Sequence, residues 1–298
     1  MRRAIATLIG VGALACAPGA AAAADDCPNA GIRAAQGATR LPDCRAYELV
    51  SPPKKGGNPI FAPFAVQADG EAVAYTSTGV FSADALSSLT GNYVARRTPD
   101  GWVSTIVSPP TTGRTAGAYD QWLPAALSAD MSRMLIDTTY PVDPDDQGDD
   151  PGGAGFGGSI DLYRSELDGS FTWISKGMTV PETSYADVVF GWASPDLERI
   201  LFETRRALTP DVPDESTWQI YLRDGDRLIL LSAGDDGRPM PADARLGDGS
   251  ARGGVNGVQV GGRLARAVSD DLGAIAFTSA TADGAQVFVR LGGLNPAT

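Results

Sequence analysis

The sequence predicts an all-β fold, and three observations support that prediction. A turn followed by a short apolar strand recurs four times along the 298 residues. Glycine and proline are abundant, with 36 and 21 residues, as the many tight turns of antiparallel sheets require. Apolar residues at helical spacing are almost absent, and residues 83–89 are the one stretch that suggests a short turn of helix.

The clearest unit of the pattern runs from residue 187 to residue 232. Its first two strands are joined by Ser194-Pro195-Asp196, in which proline presets φ and aspartate can bond its own backbone. Its last two strands are joined by an Asp-Gly-Asp hairpin turn. Four short antiparallel strands in chain order form one blade of a β-propeller, so the unit predicts that architecture. The predicted strands are residues 187–194, 199–204, 219–223 and 227–232.

The unit occurs in four copies. Each copy has an aspartate in the turn before its second strand, and that strand reads AVAYTS, RMLIDT, RILFET or AIAFTS. The outer strand recurs as WVSTIVS, FTWIS and RLILLS, whereas the fourth copy stops after its third strand. Four copies in one internal order indicate a true repeat. The turn aspartates are Asp69, Asp130, Asp196 and Asp271.

These residues resemble the repeat of TolB-type β-propellers, a WD-repeat-like module with an S-P-D-G turn, an I-A-F strand and an I-Y-V strand. The resemblance covers residues 61–290. Glycine follows the turn aspartate in the first copy only, because Met131, Leu197 and Leu272 stand there in the others. The copies are also spaced more widely than the ~40–45 residues of a typical blade. The resemblance implies a protein that binds protein partners through one face or through the central channel.

The chain is predicted to have three parts. Residues 1–24 combine two arginines, an apolar run and a stretch of small residues, which is typical of a secretory signal peptide. Lipidation at Cys16 is the less favoured alternative, and no later stretch could span a bilayer. Residues 25–60 form a disulfide-looped segment, and residues 61–298 form the propeller. The predicted blades are residues 61–108, 119–175, 187–232 and 263–298.

An outer strand predicted at residues 46–51 has no blade of its own. Its sequence, RAYELVSPP, echoes the TIVSPP that ends the first blade. Since the last copy lacks an outer strand, this segment could complete it. Two forms of the hypothesis stay open. Either four blades close on themselves, or the chain is the front part of a longer propeller that continues past Thr298.

The cysteines fit an exported protein. Cys27 and Cys44 remain after removal of the leader, and an even pair in an oxidising compartment predicts a disulfide. Closing that loop would stabilise the fold by about 3 kcal/mol. A metal or redox pair is the alternative, which the spacing and the absence of histidine disfavour.

The charge balance excludes one class of partner. The chain has 36 acidic and 24 basic residues, which gives a net charge of −12. Nucleic-acid binding needs clustered Lys and Arg, so we expect no nucleic-acid partner. The excess of acid also favours solubility. We expect a monomer that is secreted or extracytoplasmic, as the predicted signal peptide indicates.

The long predicted loops all lie at one end of the blades, whereas the other end has tight turns. A face built from long inserts is the default place for binding. The most acidic loop, residues 141–159, has the carboxylates that calcium prefers, although no glutamate stands at the twelfth position of an EF-hand. Calcium is therefore a candidate cofactor, and a solvated acidic loop is the alternative. The candidate ligands are Asp143, Asp145, Asp146, Asp149 and Asp150.

Trp122 is the ligand candidate among five tryptophans. Trp102 and Trp173 fall on outer strands and Trp192 just before a repeat turn, where packing within or between blades explains them best. Trp122 begins an inner strand near the long loops, where an aromatic ring could stack on a ligand.

No catalytic residue is predicted. The chain has no histidine, which excludes Ser-His-Asp and Cys-His hydrolysis and His-ligated zinc. Carboxylate acid–base chemistry remains, but no spacing singles out a pair of acids. We therefore expect a non-catalytic binding or scaffold module for a protein or polysaccharide partner in the cell envelope or outside the cell. The alternatives are a calcium-dependent carbohydrate-binding protein and a carboxylate-based glycan-active enzyme.

Overall fold

A computed structural model describes most of the chain after residue 26. The described residues are 27–42, 44–81, 91–108, 123–138, 141–147, 160–178, 188–213, 215–246, 267–281 and 284–291. The predicted signal peptide lies outside them. The chain divides into two compact units, Met1–Glu48 and Leu49–Thr298.

The first unit contains the predicted disulfide. Cys27 and Cys44 are bonded across a separation of 17 residues, which confirms the disulfide prediction. Helix α1 (Ala30–Ala35) follows Cys27, and Arg33 on this helix donates to the carbonyl oxygens of Thr39 and Leu41 at 2.8 and 2.7 Å. These bonds fold the intervening loop against the helix. Within the described residues, no helix is long and apolar enough to cross a membrane.

The second unit is built from four antiparallel sheets that follow one another along the chain. In each sheet the strands lie side by side in chain order, so each is a meander, the topology of a propeller blade. Blade 1 contains β1 (Ile60–Val66), β2 (Ala72–Ser77), β3 (Gly91–Thr98) and β4 (Gly101–Ile106). Blade 2 contains β5 (Leu123–Leu127), β6 (Arg133–Thr138), β7 (Asp161–Glu166) and β8 (Phe171–Trp173). Blade 3 contains β9 (Val188–Ala193), β10 (Arg199–Thr204), β11 (Gln219–Asp224) and β12 (Arg227–Leu230). Blade 4 contains β13 (Ala244–Leu246), β14 (Ala274–Thr281) and β15 (Gly284–Leu291). The predicted all-β propeller fold is confirmed.

The four turn aspartates have equivalent surroundings. Oδ1 of each accepts a hydrogen bond from the backbone N–H two residues later, at 2.8 to 3.1 Å. In blades 2 to 4 a serine two residues earlier donates its hydroxyl to the carboxylate and accepts the N–H that opens the second strand. The hydrogen bond from the Ser128 hydroxyl is the main reason that the pKa of Asp130 is lowered to about 2. These shared bonds explain why the turn recurs in the sequence.

The residue after the turn aspartate adopts the same left-handed conformation in all four blades. Gly70 has φ +77°, and Met131, Leu197 and Leu272 have φ +54°, +55° and +61°. A non-glycine residue pays about 1–3 kcal/mol for this conformation. The Met and Leu side chains are at most 4% exposed, and burial of such a side chain contributes about 1.5–3 kcal/mol, which offsets the strain.

The core lies between neighbouring blades. In blades 2 and 3, alternate residues of the second strand pack against the preceding and the following blade. Met134 and Ile136 share an apolar cluster with blade 1, whereas Leu135 between them packs with Ile200 and Phe202 of blade 3. In blades 2 to 4, the Met or Leu after the turn aspartate packs into the cluster shared with the preceding blade. These junctions hold the blades face to face.

Blade 4 differs from its expected form. Its first strand, β13, lies before residue 263, where the fourth blade was predicted to begin, and pairs with β14. Among the described residues no fourth strand covers β15, whose Val287, Val289 and Leu291 are 73%, 54% and 75% exposed. Residues 46–51, where an outer strand was predicted, form no regular secondary structure. Completion of the last blade by this segment stays a prediction.

Candidate functional site

A cleft opens at one end of blade 3. Two kinds of connection meet at this end of the blades, named here the long-loop end: those between second and third strands, and those from one blade to the next. The β10–β11 and β12–β13 connections enclose a cavity of about 380 Å³. Its lining combines apolar side chains with polar ones and carries one charge of each sign, Asp211 and Arg238. The apolar members are Val212, Pro213, Pro239, Met240 and Pro241.

The cleft is held open by bonds between its two walls and the sheet. Gln219 Nε2 donates to the carbonyl oxygen of Met240 at 3.1 Å, and the N–H of Trp218 donates to Asp243 Oδ1 at 3.0 Å. Three of the lining residues are prolines, whose backbone is restricted before any ligand binds. A preformed cleft loses little conformational entropy on binding.

A buried ion pair lies beside the cleft and joins blades 3 and 4. Arg245 Nε is 2.8 Å from Glu203 Oε2, and both side chains are less than a tenth exposed. The Arg245 guanidinium also lies over the ring of Trp218, 3.8 Å from its centroid. The N–H of Leu246 donates to the other carboxylate oxygen of Glu203. The carboxylate is therefore occupied by groups of the chain itself.

A second buried ion pair joins blades 2 and 3. Arg206, which follows β10, donates from Nη1 and Nη2 to the two oxygens of Asp161 at 2.7 and 2.8 Å. Both side chains are fully buried. Trp173 Nε1 and Ser175 Oγ donate to Asp161 Oδ1 at 2.9 and 2.6 Å. Four donors saturate this carboxylate, so its role is structural, and loss of one charge from such a pair costs about 3–5 kcal/mol.

The structure brings together two of the predicted calcium ligands and separates a third from them. Lys176 Nζ lies 3.2 Å from Asp143 Oδ2 and 2.9 Å from Asp145 Oδ2, so a chain cation sits on both carboxylates. Asp146 is instead buried, and its Oδ2 accepts the Tyr163 hydroxyl at 2.6 Å. Burial, with a smaller contribution from the charge of Asp161, raises the pKa of Asp146 to about 7.

The described residues include only part of the predicted calcium loop. Asp149 and Asp150 lie outside the described residues. Within the described part of the chain, no three Cys, Asp or Glu side chains are grouped so that they could hold a metal ion. Calcium stays a prediction for this loop.

The described tryptophans are buried or covered by a cation. Trp173 and Trp192 are 5% and 8% exposed. Arg97 lies 4.9 Å from the ring centroid of Trp102, as Arg245 does over Trp218 at 3.8 Å. These four rings pack within or between blades. Trp122, the predicted ligand candidate, lies outside the described residues.

Sequence reasoning missed the two buried ion pairs. Glu203 interrupts the apolar strand RILFET, and Arg245 interrupts the short strand ARL. A single charge inside an apolar strand was the available signal, since such a group is seldom buried without a partner. Arg206 carried no signal, because it follows another arginine in a loop.

Comparisons with known proteins show no family. No family model matches the chain, and no curated protein matches it. Among solved structures, the β-propeller domain of the trilobed protease from Pyrococcus furiosus aligns with 78% of this chain and 68% of that chain, at 13% identity and a TM-score of 0.28. A chain from a structural study of two prolyl endopeptidases aligns with 78% of this chain, at 15% identity and a TM-score of 0.32. This chain covers 34% of that one. The protein is a β-propeller by its own sheet order and repeated turns.

Proposed function

We propose that the protein is a secreted, TolB-type β-propeller that acts as a non-catalytic binding module at its long-loop end. The cleft of blade 3 is the observation that supports this function. It is preformed, mostly apolar and carries one charge of each sign, which is the usual composition of a ligand site. The opposite end of the same blade has only the tight turns at Asp196 and Gly225.

The cleft favours a protein partner over a glycan. Sugars stack on open aromatic faces, and the nearest described ring, Trp218, carries the Arg245 guanidinium on its face. The walls instead offer Met240, three prolines and an 85% exposed Arg238 side chain. Apolar contacts with a charge at the rim are typical of protein interfaces. The partner would therefore present apolar side chains to the cleft and an acidic side chain to Arg238, in competition with Asp236, whose Oδ2 lies 3.9 Å from Arg238 Nε.

Four of the described carboxylates are occupied by groups of the chain itself, which supports a non-catalytic role for them. A general acid or base must reach a substrate with a free oxygen. Asp161 and Glu203 accept bonds from several chain donors, and Asp143 and Asp145 are neutralised by Lys176. These carboxylates stabilise the junctions and loops in which they lie.

The proposal is tested by selecting peptides on the purified protein and measuring their affinity for cleft variants. Arg238→Glu reverses an exposed charge on the cleft wall, and we expect it to weaken a selected peptide by about tenfold. Arg227→Glu makes the same change at the tight-turn end of blade 3 and should leave the affinity unchanged. Calorimetry on the three proteins gives the comparison.

Two results would contradict this function. Equal affinity of the selected peptides for both variants would place binding elsewhere. Turnover of a glycoside or polysaccharide that disappears on a single Asp or Glu substitution would show the carboxylate enzyme instead.

Calcium-dependent carbohydrate recognition is the second candidate. It is favoured by Asp146 Oδ1, which is buried and has no hydrogen-bond partner among the described residues. If calcium binds the loop at residues 141–159, the chelator EGTA should lower the melting temperature and calcium should restore it. Identical melting curves with chelator and with calcium would exclude that function.

A further inference from the structure

The four blades differ at one equivalent position of their second strands, seven residues after the turn aspartate. Blades 1 and 4 have threonines there. Thr76 donates to Asn92 Oδ1 at 2.8 Å, and Thr278 donates to the carbonyl oxygen of Arg245 at 3.5 Å. Blades 2 and 3 have carboxylates at the position, Asp137 and Glu203.

Glu203 shows what a carboxylate at this position binds. Its partner is the Arg245 guanidinium, supplied by the first strand of the next blade. Arg245 stands opposite Thr278 in the β13–β14 ladder, so its place is fixed relative to the repeat. Blade 4 therefore neutralises the carboxylate of blade 3.

Among the described residues, Asp137 has no such partner. The equivalent position in the first strand of blade 3 is Val189, which stands opposite Glu203 in the β9–β10 ladder. Asp137 is 8% exposed, and its Oδ1 is buried without a hydrogen-bond partner among the described residues. Burial alone raises the pKa of this carboxyl to about 7. A buried, unpaired carboxyl is costly unless a partner arrives.

Asp137 lies at the long-loop end of blade 2. It is the penultimate residue of β6, which is followed by the connection at residues 139–160. In the β6–β7 ladder it stands opposite Leu162, which belongs to the apolar cluster between blades 2 and 3. In the β5–β6 ladder it stands opposite Leu123, the residue after Trp122 in the sequence.

We propose that Asp137 anchors the guanidinium group of a ligand at the junction of blades 2 and 3, in the place that Arg245 occupies for Glu203. A guanidinium suits the site because its planar donors match the two oxygens of a carboxylate. A single carboxylate is a poor metal site, since calcium takes six to eight oxygens. The ligand is a small guanidine compound or an arginine side chain of a protein, and the site is independent of the cleft in blade 3.

The test uses calorimetric titration of the full protein with N-acetyl-arginine amide and with an acetylated Gly-Arg-Gly peptide. N-acetyl-citrulline amide, which has nearly the same shape without the charge, is the control ligand. We expect the arginine probes to bind the wild type and Asp100→Asn equally, and to lose about tenfold or more in affinity for Asp137→Asn. Binding of both probes would indicate that a small guanidine compound suffices, and binding of the peptide alone would indicate a protein ligand.

Several results would overturn the proposal. Failure of both probes to bind the wild type would do so, as would equal binding of citrulline and arginine. Unchanged affinity for Asp137→Asn would also exclude Asp137 as the anchor. Arg238→Glu should leave arginine binding unchanged, which separates this site from the cleft.

A second variant tests the internal comparison directly. Val189→Arg supplies blade 3 with the guanidinium that blade 4 already has at Arg245. In the folded variant, we expect the new side chain to pair with Asp137, abolish binding of the arginine probes and raise the melting temperature. A folded Val189→Arg protein that binds the probes as well as the wild type would contradict the proposal.

Discussion

Leu197 combines an unfavourable backbone with a favourable side chain. Its φ of +55° suits glycine, yet its side chain is 1% exposed in the junction between blades 2 and 3. Two substitutions separate these effects. Leu197→Ala removes the buried side chain and keeps the strain, whereas Leu197→Gly removes both.

We therefore expect an inverted order of stabilities at this residue. Leu197→Ala should lose about 2–5 kcal/mol of the free energy of unfolding. Leu197→Gly should lose about 1 kcal/mol less than the alanine variant, because glycine adopts positive φ without strain. Urea unfolding followed by tryptophan fluorescence measures both.

At ordinary helix or strand positions glycine is the worse of the two residues, by about 0.5–1 kcal/mol. A glycine variant less stable than the alanine variant would show that the left-handed backbone at Leu197 carries no strain.

The same residues show how far local rules predict a structure. Glycine follows the turn aspartate in the first copy, whereas Met131, Leu197 and Leu272 stand there in the others. All three adopt the left-handed conformation nevertheless. Burial between blades outweighs the local cost, and burial cannot be read from a turn sequence.

At the scale of elements, strand β9 approaches strand β13 closely at Gly191. A Cβ atom built on Gly191 would lie 2.3 Å from Leu246 Cδ1 of β13, and 3.3 Å from the carbonyl oxygen of Leu201. Glycine at this place lets the first strands of blades 3 and 4 come together. Any larger residue must displace Leu246.

Gly191→Ala should therefore destabilise the propeller by about 1–3 kcal/mol, the usual cost of overpacking. Leu246→Val removes the Cδ1 atom, so the double variant should be more stable than the sum of the two single changes predicts. Urea denaturation of the four proteins gives the coupling energy. Gly31→Ala, where nothing lies within 4 Å, is the matched control and should change little.

Additive effects at Gly191 and Leu246 would mean that the two strands do not compete for this space. A neutral Gly191→Ala variant would mean that the junction adjusts without cost.

The strands with local partners were predictable, and β13 was not. Strands such as β9 and β10 are joined by a tight turn and carry clear apolar patterns, so sequence alone placed them. β13 has three residues within a polar, glycine-rich stretch, and it pairs with β14 about 30 residues later. Its place is set by packing against blade 3, through Ala244 and Leu246, rather than by its own sequence.

For the whole molecule, the buried charges tie neighbouring blades together. Arg206 and Asp161 join blades 2 and 3 across 45 positions of sequence, and Arg245 and Glu203 join blades 3 and 4. A repeat pattern predicted that the blades exist and in which order they come. Which charges meet across a junction depends on geometry that a repeat does not encode. The acidic loop shows the same limit, since Lys176, which follows β8, pairs with two of its carboxylates.

In blades 2 to 4, the Met or Leu after the turn aspartate fills the junction with the preceding blade. Chains are synthesised from the N-terminus, and domains fold as they emerge. A blade that emerges first, during synthesis or export, would therefore keep one apolar side exposed until the first turn of its successor appeared. Assembly would then run from the first blade to the last, because each junction closes only when the turn of the next blade is in place.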